Sequence, residues 1–396
     1  MAAMQRAPRK MNNMSMKTTV NQDPVDLART LAADIATRAD RADREGCLPT
    51  ADVALLRESG YLALAVPVEH GGEGASLLTC AAAQLELAKG SASTALVAAM
   101  QHQVIGHQRE TRTWRPDAYE RIMREAAEGG LLNSVASEPR MGSPSRGGLP
   151  ETTATPTADG ANLLVNGHKT WATGGRHLTH LLVRVAAGEE AGVVLVRQGA
   201  DGTPGLEWVE TWADVLSLRA SDSHDAILRD VVVPRESLIE TGDAKAVPNI
   251  WFATMLSAVY LGTALAARDA LIRYALERVP LALGKPIATL PKIQRVVGEI
   301  DVALMAARAL LFEVAGEWTG RDEDRSGMMA RVAAAKMAVT AAAGEATEKA
   351  LQAAGGSGIT RALTLERHFR DVRAAQLQPP SGDTAYEIVG RTALGL

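Results

Sequence analysis

LQAAGGSGI at residues 351–359 and LERHFRDVR at residues 365–373 are the most informative segments of this chain. An alanine-rich helix runs into three glycines, Gly355, Gly356 and Gly358, and a strongly basic helix follows. Glycine permits positive φ and lets a ligand approach the backbone without a Cβ in the way. The next helix would offer its N-terminal N–H groups to an anion. The loop therefore predicts either a plain glycine C-cap and turn or a site for a phosphate-bearing cofactor.

Length and composition describe a large helical protein and exclude several classes. At 396 residues the chain can bury a large core, and we expect two or three packed subdomains. The net charge of −4, with mixed signs, does not favour nucleic-acid or membrane-surface binding. Two cysteines, Cys47 and Cys80, are too few for a disulfide framework or a cysteine metal cluster. We expect a cytoplasmic protein without a metal site or a membrane span.

The first two thirds of the chain change from a helical to a β pattern. Residues 1–22 are basic without an apolar core and predict a disordered tail, and residues 23–130 predict an N-terminal helical domain with helices at 24–45, 51–59, 76–101 and 116–128. Short β-branched runs separated by turns then fill residues 131–240, where Asn166-Gly167 is a hairpin signal. This middle segment predicts an inserted β-barrel or β-sandwich.

Residues 241–396 return to a helical pattern and predict a C-terminal four-helix bundle. One apolar seam with spacings of three and four residues predicts a helix packed lengthwise on another: Ile293, Val297, Ile300, Leu304, Ala307, Leu311 and Val314. A second helix over residues 331–352 shows a polar stripe that we expect to face solvent: Lys336, Thr340, Glu345, Glu348 and Gln352. The fold class is therefore mainly α with an inserted β-domain.

Six segments in this order resemble the acyl-CoA dehydrogenase family of flavoproteins, which includes related flavin-dependent monooxygenases. They are Tyr61–Gly74, Val135–Pro139 with Gly142-Ser143, Gly167–Gly175, Leu218–Ser223 with Val231–Pro234, Tyr274–Arg278, and the glycine loop at 355–358. The resemblance covers about residues 25–393. It implies the three-part fold predicted above, a flavin-dependent oxidoreductase, and a flavin between the β-domain and the C-terminal helices.

The resemblance also implies which residues contact the flavin, with FAD as the cofactor and FMN as the alternative for a monooxygenase. The residues are Val135 and Ser137 at the pyrimidine, Trp171 over one ring face, Thr173 near N5 and O4, Arg278 at the pyrophosphate, and Gln352, Gly355 and Gly356 at the adenosine, from the neighbouring subunit in family members. The plainer interpretations are a core tryptophan, turn-forming hydroxyls and an arginine that complements a helix dipole.

The catalytic base of the family is missing from both of its usual positions. The resemblance puts the glutamate of most members at Pro379 and that of other members near Phe252, and neither side chain takes up a proton. The arginine that many members place near the CoA moiety corresponds to Ala253. Asp383 is either a relocated base or a helix-capping residue. We expect Ser143, Trp251 and Phe252 to contact the substrate.

Three functions remain open at this point, of which we predict the first and keep the second as the alternative. The first is α,β-dehydrogenation of an acyl-CoA or related thioester, with an electron-transfer flavoprotein as the implied acceptor. The second is flavin-dependent hydroxylation of carbon, nitrogen or sulfur in a non-CoA small molecule, with a flavin reductase as the electron donor. The third is a catalytically silent flavoprotein or helical scaffold. By resemblance we expect a homotetramer, with a dimer as the fallback.

Overall fold

Five helices form the N-terminal part of the computed structural model, which describes residues 22–141, 148–242, 249–320 and 327–396. They are α1 (Pro24–Glu45), α2 (Thr50–Glu58), α3 (Leu77–Ala88), α4 (Ala92–Thr111) and α5 (Pro116–Ala127). The Asp23 carboxylate accepts hydrogen bonds from the first N–H groups of α1, and Gly46 ends this helix at φ +64°. The tail predicted at residues 1–22 lies almost entirely outside the described residues.

The single helix predicted over residues 76–101 is wrong, because α3 and α4 are separate helices. The chain breaks at Gly90, where a Cβ would lie 2.5 Å from the Ala32 carbonyl oxygen of α1. Ser91 then caps α4, since its hydroxyl accepts a hydrogen bond from the Thr94 N–H at 3.3 Å. Close packing of α1 against this junction therefore requires the break.

Eight strands form one sheet in the middle of the chain. They are β1 (Leu132–Val135), β2 (Thr153–Pro156), β3 (Asn162–Ala172), β4 (His180–Ala187), β5 (Glu190–Arg197), β6 (Leu206–Val209), β7 (His224–Pro234) and β8 (Leu238–Thr241). The strand order is β6-β7-β3-β2-β4-β5-β8, and β1 pairs with β4 in parallel. The inserted β-domain is confirmed as a sheet whose hydrogen-bonded path runs from β6 to β8.

The hairpin predicted at Asn166-Gly167 is wrong, because β3 continues straight through these residues. The pair forms an irregularity in the ladder with β7, where the register shifts between Val165 and Gly167. The Asn166 side chain donates to Asp230 Oδ1 at 3.0 Å and accepts from the Asp230 N–H at 2.8 Å. A Cβ at Gly167 would lie 2.2 Å from Thr152 Oγ1. The glycine is thus needed for close approach rather than for a turn.

The C-terminal part is a bundle of long helices followed by short ones. Its helices are α6 (Ile250–Glu277), α7 (Pro291–Thr319), α8 (Met328–Ala353), α9 (Leu365–Asp371) and α10 (Gly382–Ala393), with a 3-10 helix at Val372–Gln376. The helices α6, α7 and α8 pack on one another, α10 packs on α8, and α3 and α4 pack on α6. The seam of α7 is confirmed, since all of its residues except half-buried Val297 are buried. Helix α6 is long and apolar enough to cross a membrane, yet 89% of its most apolar stretch is buried inside the protein.

The solvent stripe predicted on α8 is only half correct. Glu345, Glu348 and Gln352 are exposed, whereas Lys336 and Thr340 are buried, with 2% and 5% of their surface accessible. The reason is that the segment before α10 covers the first half of α8 and provides carbonyl groups for the lysine.

Helix α9 ties the three parts together. The Arg370 guanidinium binds both carboxylate oxygens of Asp43 in α1, at 3.0 and 2.6 Å. The Asp371 carboxylate accepts a hydrogen bond from the Leu218 N–H of the β-domain at 2.8 Å. Burial raises the pKa of Asp371 to about 6, although Arg367 acts in the opposite direction. The helix–sheet–helix architecture is therefore confirmed, while the domain boundaries at 23–130, 131–240 and 241–396 stay predictions.

Candidate functional site

The end of β1 and the end of β3 bring the first four predicted flavin residues together. Val135 closes β1 and is buried beside Val183 of β4. The Ser137 carbonyl accepts a hydrogen bond from the Thr170 N–H at 2.9 Å. The Thr173 carbonyl accepts one from the Asn133 side chain at 3.0 Å. These bonds join the end of β1 to the end of β3, at or just after which Val135, Ser137, Trp171 and Thr173 lie.

Trp171 presents its indole to the outside of the protein, with 61% of its surface accessible. Its φ is +57°, a conformation that costs a bulky non-glycine residue about 1–3 kcal/mol. The neighbouring Thr173 N–H donates to the Trp171 carbonyl at 2.9 Å and fixes this turn. The fold thus accepts both strain and exposure of a large ring, which suits a platform on which another flat ring stacks.

A buried chain of hydroxyl groups leads inward from Thr173. The Thr173 and Ser223 hydroxyls lie 2.8 Å apart, and the Ser223 and Ser221 hydroxyls lie 2.7 Å apart. All three residues are buried. When Ser223 donates to Thr173, the proton of Thr173 is free to point to a ligand. Sequence reasoning did not identify Ser221 and Ser223 as site residues; the signal was their polar run between Leu218 and the apolar strand β7.

The remaining predicted cofactor residues form a second group at the far ends of α6 and α8. The Tyr274 hydroxyl of α6 donates to the Ser357 hydroxyl at 3.1 Å, which brings the glycine loop to the end of α6. Arg278 follows there and is exposed. Gly355 has φ +60°, and no atom lies within 4 Å of a Cβ built at either Gly355 or Gly356.

Gln352 completes this second group on the last turn of α8. It is exposed, and its amide donates to the Glu348 carboxylate at 3.2 Å. The second group therefore presents a guanidinium, an amide and bare backbone to the outside. This is a suitable set for phosphate and adenosine groups.

Glu138, in the segment between β1 and β2, has a structural role. Its carboxylate binds Lys169 Nζ at 2.6 Å, and both side chains are buried. It also accepts hydrogen bonds from the N–H groups of Glu151 at 2.7 Å and Thr152 at 3.0 Å. Burial acts to raise the pKa of Glu138, but these bonds outweigh burial and lower the pKa to about 2. Glu138 is therefore held as a carboxylate with a low affinity for protons, which makes it a weak base.

Of the predicted substrate residues, the structure describes Trp251 and Phe252. Trp251 is buried, with 1% of its surface accessible, and its ring lies 2.1 Å from the position that a Cβ of Gly106 would occupy. Its indole N–H donates to Glu110 at 2.9 Å, so Trp251 packs α6 onto α4. Phe252 is half-buried. Ser143 lies outside the described residues, and its predicted contact with substrate stays a prediction.

The region where the family carries its base is a loop before α10. Pro379 and Pro380, joined by a cis peptide bond, occupy it, and Ser381 is the N-cap residue of α10. Asp383 is exposed in the first turn of α10, and the N-cap residue Ser381 makes no side-chain capping hydrogen bond. Its carboxylate lies where the helix dipole favours a negative charge. The position of Asp383 favours a helix-stabilising role over a catalytic one.

Comparison with known proteins places this chain in a family. Residues 22–111 match the model of the acyl-CoA dehydrogenase N-terminal domain, and residues 254–378 match the acyl-CoA dehydrogenase C-terminal domain. A relative from Bacillus subtilis (strain 168), "Putative acyl-CoA dehydrogenase YdbM", is 36% identical over 357 residues, which cover 89% of this chain and 92% of the relative. The chain belongs to the acyl-CoA dehydrogenase family. The resemblance stated from the sequence motifs is thereby confirmed.

Solved structures extend this result to the fold and the cofactor. Butyryl-CoA dehydrogenase from Megasphaera elsdenii has a TM-score of 0.82 at 23% identity and covers 95% of this chain and 98% of its own, which shows the shared fold. The dibenzothiophene monooxygenase TdsC from Paenibacillus sp. A11-2 has a TM-score of 0.81 at 25% identity, over 94% of this chain and 97% of its own. TdsC has also been solved with FMN bound. This member of the family is a flavin-dependent oxidoreductase.

The two groups of predicted residues fit a flavin. The exposed indole of Trp171 offers a stacking face, and the Thr173 hydroxyl, supported by Ser223, offers a hydrogen bond. Bare backbone at Gly355 and Gly356 leaves room that a side chain would fill. A flavin requires a stacking face, hydrogen bonds and room for its phosphate groups. The exposed ring, the oriented hydroxyl and the open backbone are suited to these contacts.

Proposed function

We propose that this protein is a flavin-dependent monooxygenase that acts on a small molecule other than an acyl-CoA. The observation that carries the proposal is that the two positions used for a base in this family hold Pro379, in the loop before α10, and Phe252, in α6. Asp383, the nearest acidic residue along the chain, is exposed on the first turn of α10. Removal of an α-proton needs a base within hydrogen-bond reach of that proton. Hydroxylation with reduced flavin and oxygen does not need a base for an α-proton.

The flavin would be held by the residues named above. Trp171 would cover one ring face, Thr173 would bind near N5 and O4, and Val135 and Ser137 would meet the pyrimidine. Bound flavin supplies electron transfer and, when reduced, reaction with oxygen; the chain supplies orientation and exclusion of water. A flavin reductase would deliver the electrons, and we place the enzyme in the cytoplasm.

The second group decides between FAD and FMN, because only FAD has a pyrophosphate and an adenosine. Arg278 would bind the pyrophosphate, and Gln352 with Gly355 and Gly356 would bind the adenosine. By family resemblance Gln352, Gly355 and Gly356 would come from a second copy of the chain in a homotetramer, or in a dimer. Extraction of the bound flavin and separation of FAD from FMN test this assignment. FMN alone would contradict a cofactor role of the second group.

A second candidate function is dehydrogenation of an acyl-CoA or related thioester with an electron-transfer flavoprotein as acceptor. The observation that favours it is the 36% identity to a relative named as an acyl-CoA dehydrogenase. It requires a relocated base, for which Asp383 is the candidate. Its carboxylate would have to reach the substrate from the first turn of α10.

Anaerobic titration with thioesters separates the two functions. We expect that a panel of acyl-CoAs, including butyryl-CoA, leaves the visible absorption of the oxidised flavin unchanged. After chemical reduction of the flavin and admission of oxygen, we expect a hydroxylated product from an apolar aromatic probe such as indole. Bleaching of the oxidised flavin by a thioester would overturn the proposal and support the second candidate.

Asp383→Asn tests the relocated base directly. Under the proposed function we expect oxygen-dependent product formation to stay at the wild-type rate, because Asp383 has no role in that chemistry. The stability cost should stay near 0.3–1 kcal/mol, the contribution of one exposed carboxylate at a helix N-terminus. Glu387→Gln, one turn further along α10, is the matched control. Loss of a thioester-driven bleaching in Asp383→Asn alone would instead assign Asp383 as the base.

A further inference from the structure

Lys336 is a buried lysine that the proposed function does not use. It lies in the first half of α8 with 2% of its surface accessible. Its Nζ donates hydrogen bonds to the carbonyl oxygens of Ala375 at 2.9 Å, Gln378 at 2.7 Å and Pro380 at 2.7 Å. An ammonium has three protons and no acceptor capacity, so these three carbonyls use every proton that it has.

The lysine carries its charge while bound in this way. Burial lowers the pKa of Lys336 to about 8, so the amine keeps its proton at pH 7. A neutral amine could donate only two of the three bonds. The buried Ala375 carbonyl also needs this donor, because a buried carbonyl without a partner costs about 1–3 kcal/mol. The ammonium and the loop therefore stabilise each other.

The three carbonyls belong to the loop that holds position 379. The bonds to Gln378 and Pro380 lie on either side of Pro379 and bracket it. A second helix contributes as well, because the Tyr260 hydroxyl of α6 donates to Gln378 Oε1 at 2.5 Å. The loop is thus held from α6 and from α8, and the lysine carries most of the bonds.

We propose that Lys336 is the positioning residue of the loop at residues 375–380, which its ammonium holds in place as one wall of the substrate site. That this loop borders the substrate rests on the proposed function; that Lys336 orders the loop does not. In a connection between two helices, the backbone carbonyls otherwise bond to nearby side chains or to solvent. Here the Lys336 ammonium takes that place. Without the ammonium, residues 375–380 would lose these hydrogen bonds to α8 and sample other conformations.

Hydrogen–deuterium exchange of the flavin-loaded full chain tests the proposal. Lys336→Met keeps the length of the apolar stem and removes the ammonium, and we expect exchange in a peptide covering residues 374–384 to rise at least about tenfold. Lys336→Arg keeps the positive charge and several donors, and we expect it to restore most of the protection. A peptide covering β3 should keep its wild-type exchange in both variants.

Lys169→Met is the matched control, because it removes a second buried ammonium from a distant part of the chain. We expect it to raise exchange in β3 and to leave residues 374–384 protected. The proposal is overturned if Lys336→Met leaves residues 374–384 protected. It is also overturned if Lys336→Met and Lys169→Met raise exchange equally in the β3 peptide and in the peptide covering residues 374–384. Since exchange is read without turnover, this result is independent of whether the enzyme hydroxylates or dehydrogenates.

Discussion

Lys169→Met is expected to lower the free energy of unfolding by about 3–5 kcal/mol, the cost of leaving one partner of a buried ion pair uncompensated. Lys169 is fully buried, and its Nζ lies 2.6 Å from the Glu138 carboxylate. After the substitution, the partners that Glu138 keeps among the described residues are the N–H groups of Glu151 and Thr152. Denaturant unfolding of the wild type and the variant measures the difference.

The penalty should shrink on acidification. The pKa of Glu138 is about 2 in the folded protein against 4.5 for a free glutamate. Between these values the unfolded chain binds more protons than the folded one, so wild-type stability falls as the pH decreases from about 4.5 towards 2. Without Lys169 the folded pKa of Glu138 rises, and the variant loses less stability over the same range. A penalty that is constant from pH 7 to pH 3 would contradict the assigned role of the pair.

Two controls isolate the buried pair. Arg124→Met removes an exposed ion pair, Arg124–Glu120 at 3.0 Å, and should cost about 0–1 kcal/mol. The double variant Lys169→Met with Glu138→Leu removes both charges, and we expect it to be more stable than Lys169→Met alone. If the double variant is the less stable of the two, packing rather than charge explains the effect.

Trp171→Ala is expected to weaken flavin binding by roughly 5- to 150-fold, because stacking on an aromatic side chain contributes about 1–3 kcal/mol. Because 61% of the Trp171 surface is accessible, the variant should fold as the wild type does. Titration of apoprotein with FAD and with FMN, followed by quenching of flavin fluorescence, gives the dissociation constants.

The backbone at Trp171 requires its own control. Asparagine tolerates positive φ better than alanine does, so Trp171→Asn removes the ring while keeping the φ of +57°. We expect both variants to lose flavin to a similar extent, and Leu216→Ala, another exposed apolar side chain of the β-domain, to retain it. Wild-type affinity in Trp171→Asn would show that the backbone conformation, rather than the ring, matters.

Local patterns predicted those parts of the fold that neighbouring residues determine. The seam from Ile293 to Val314 lies on one face of α7, because helical periodicity needs only residues three and four positions apart. The break at Gly90 escaped prediction because it depends on Ala32, far away in the sequence. Asn166 and Gly167 carry the signal of a turn, but Asp230 and Thr152 supply partners that keep the strand straight.

The candidate site also combines residues that a local motif predicts with residues that only the fold brings together. Trp171 and Thr173 were predicted from a continuous motif, and hydrogen bonds join the end of β3, at or just after which they lie, to the end of β1. Lys336 was expected in solvent because its carbonyl partners come from residues 375–380, which a helical pattern cannot reveal. Ser221 and Ser223 likewise join the site only because the fold brings them next to Thr173.

The ion pair between Arg370 and Asp43 joins residues 327 positions apart. During synthesis, α1 with Asp43 therefore leaves the ribosome long before Arg370 is synthesised. The N-terminal helices cannot complete their native contacts until nearly the whole polypeptide has emerged, and a chain that stops before α9 would carry an uncompensated carboxylate at Asp43. Premature termination near the carboxyl terminus should thus yield nascent chains that depend on chaperones, even though every residue of α1 to α5 is present.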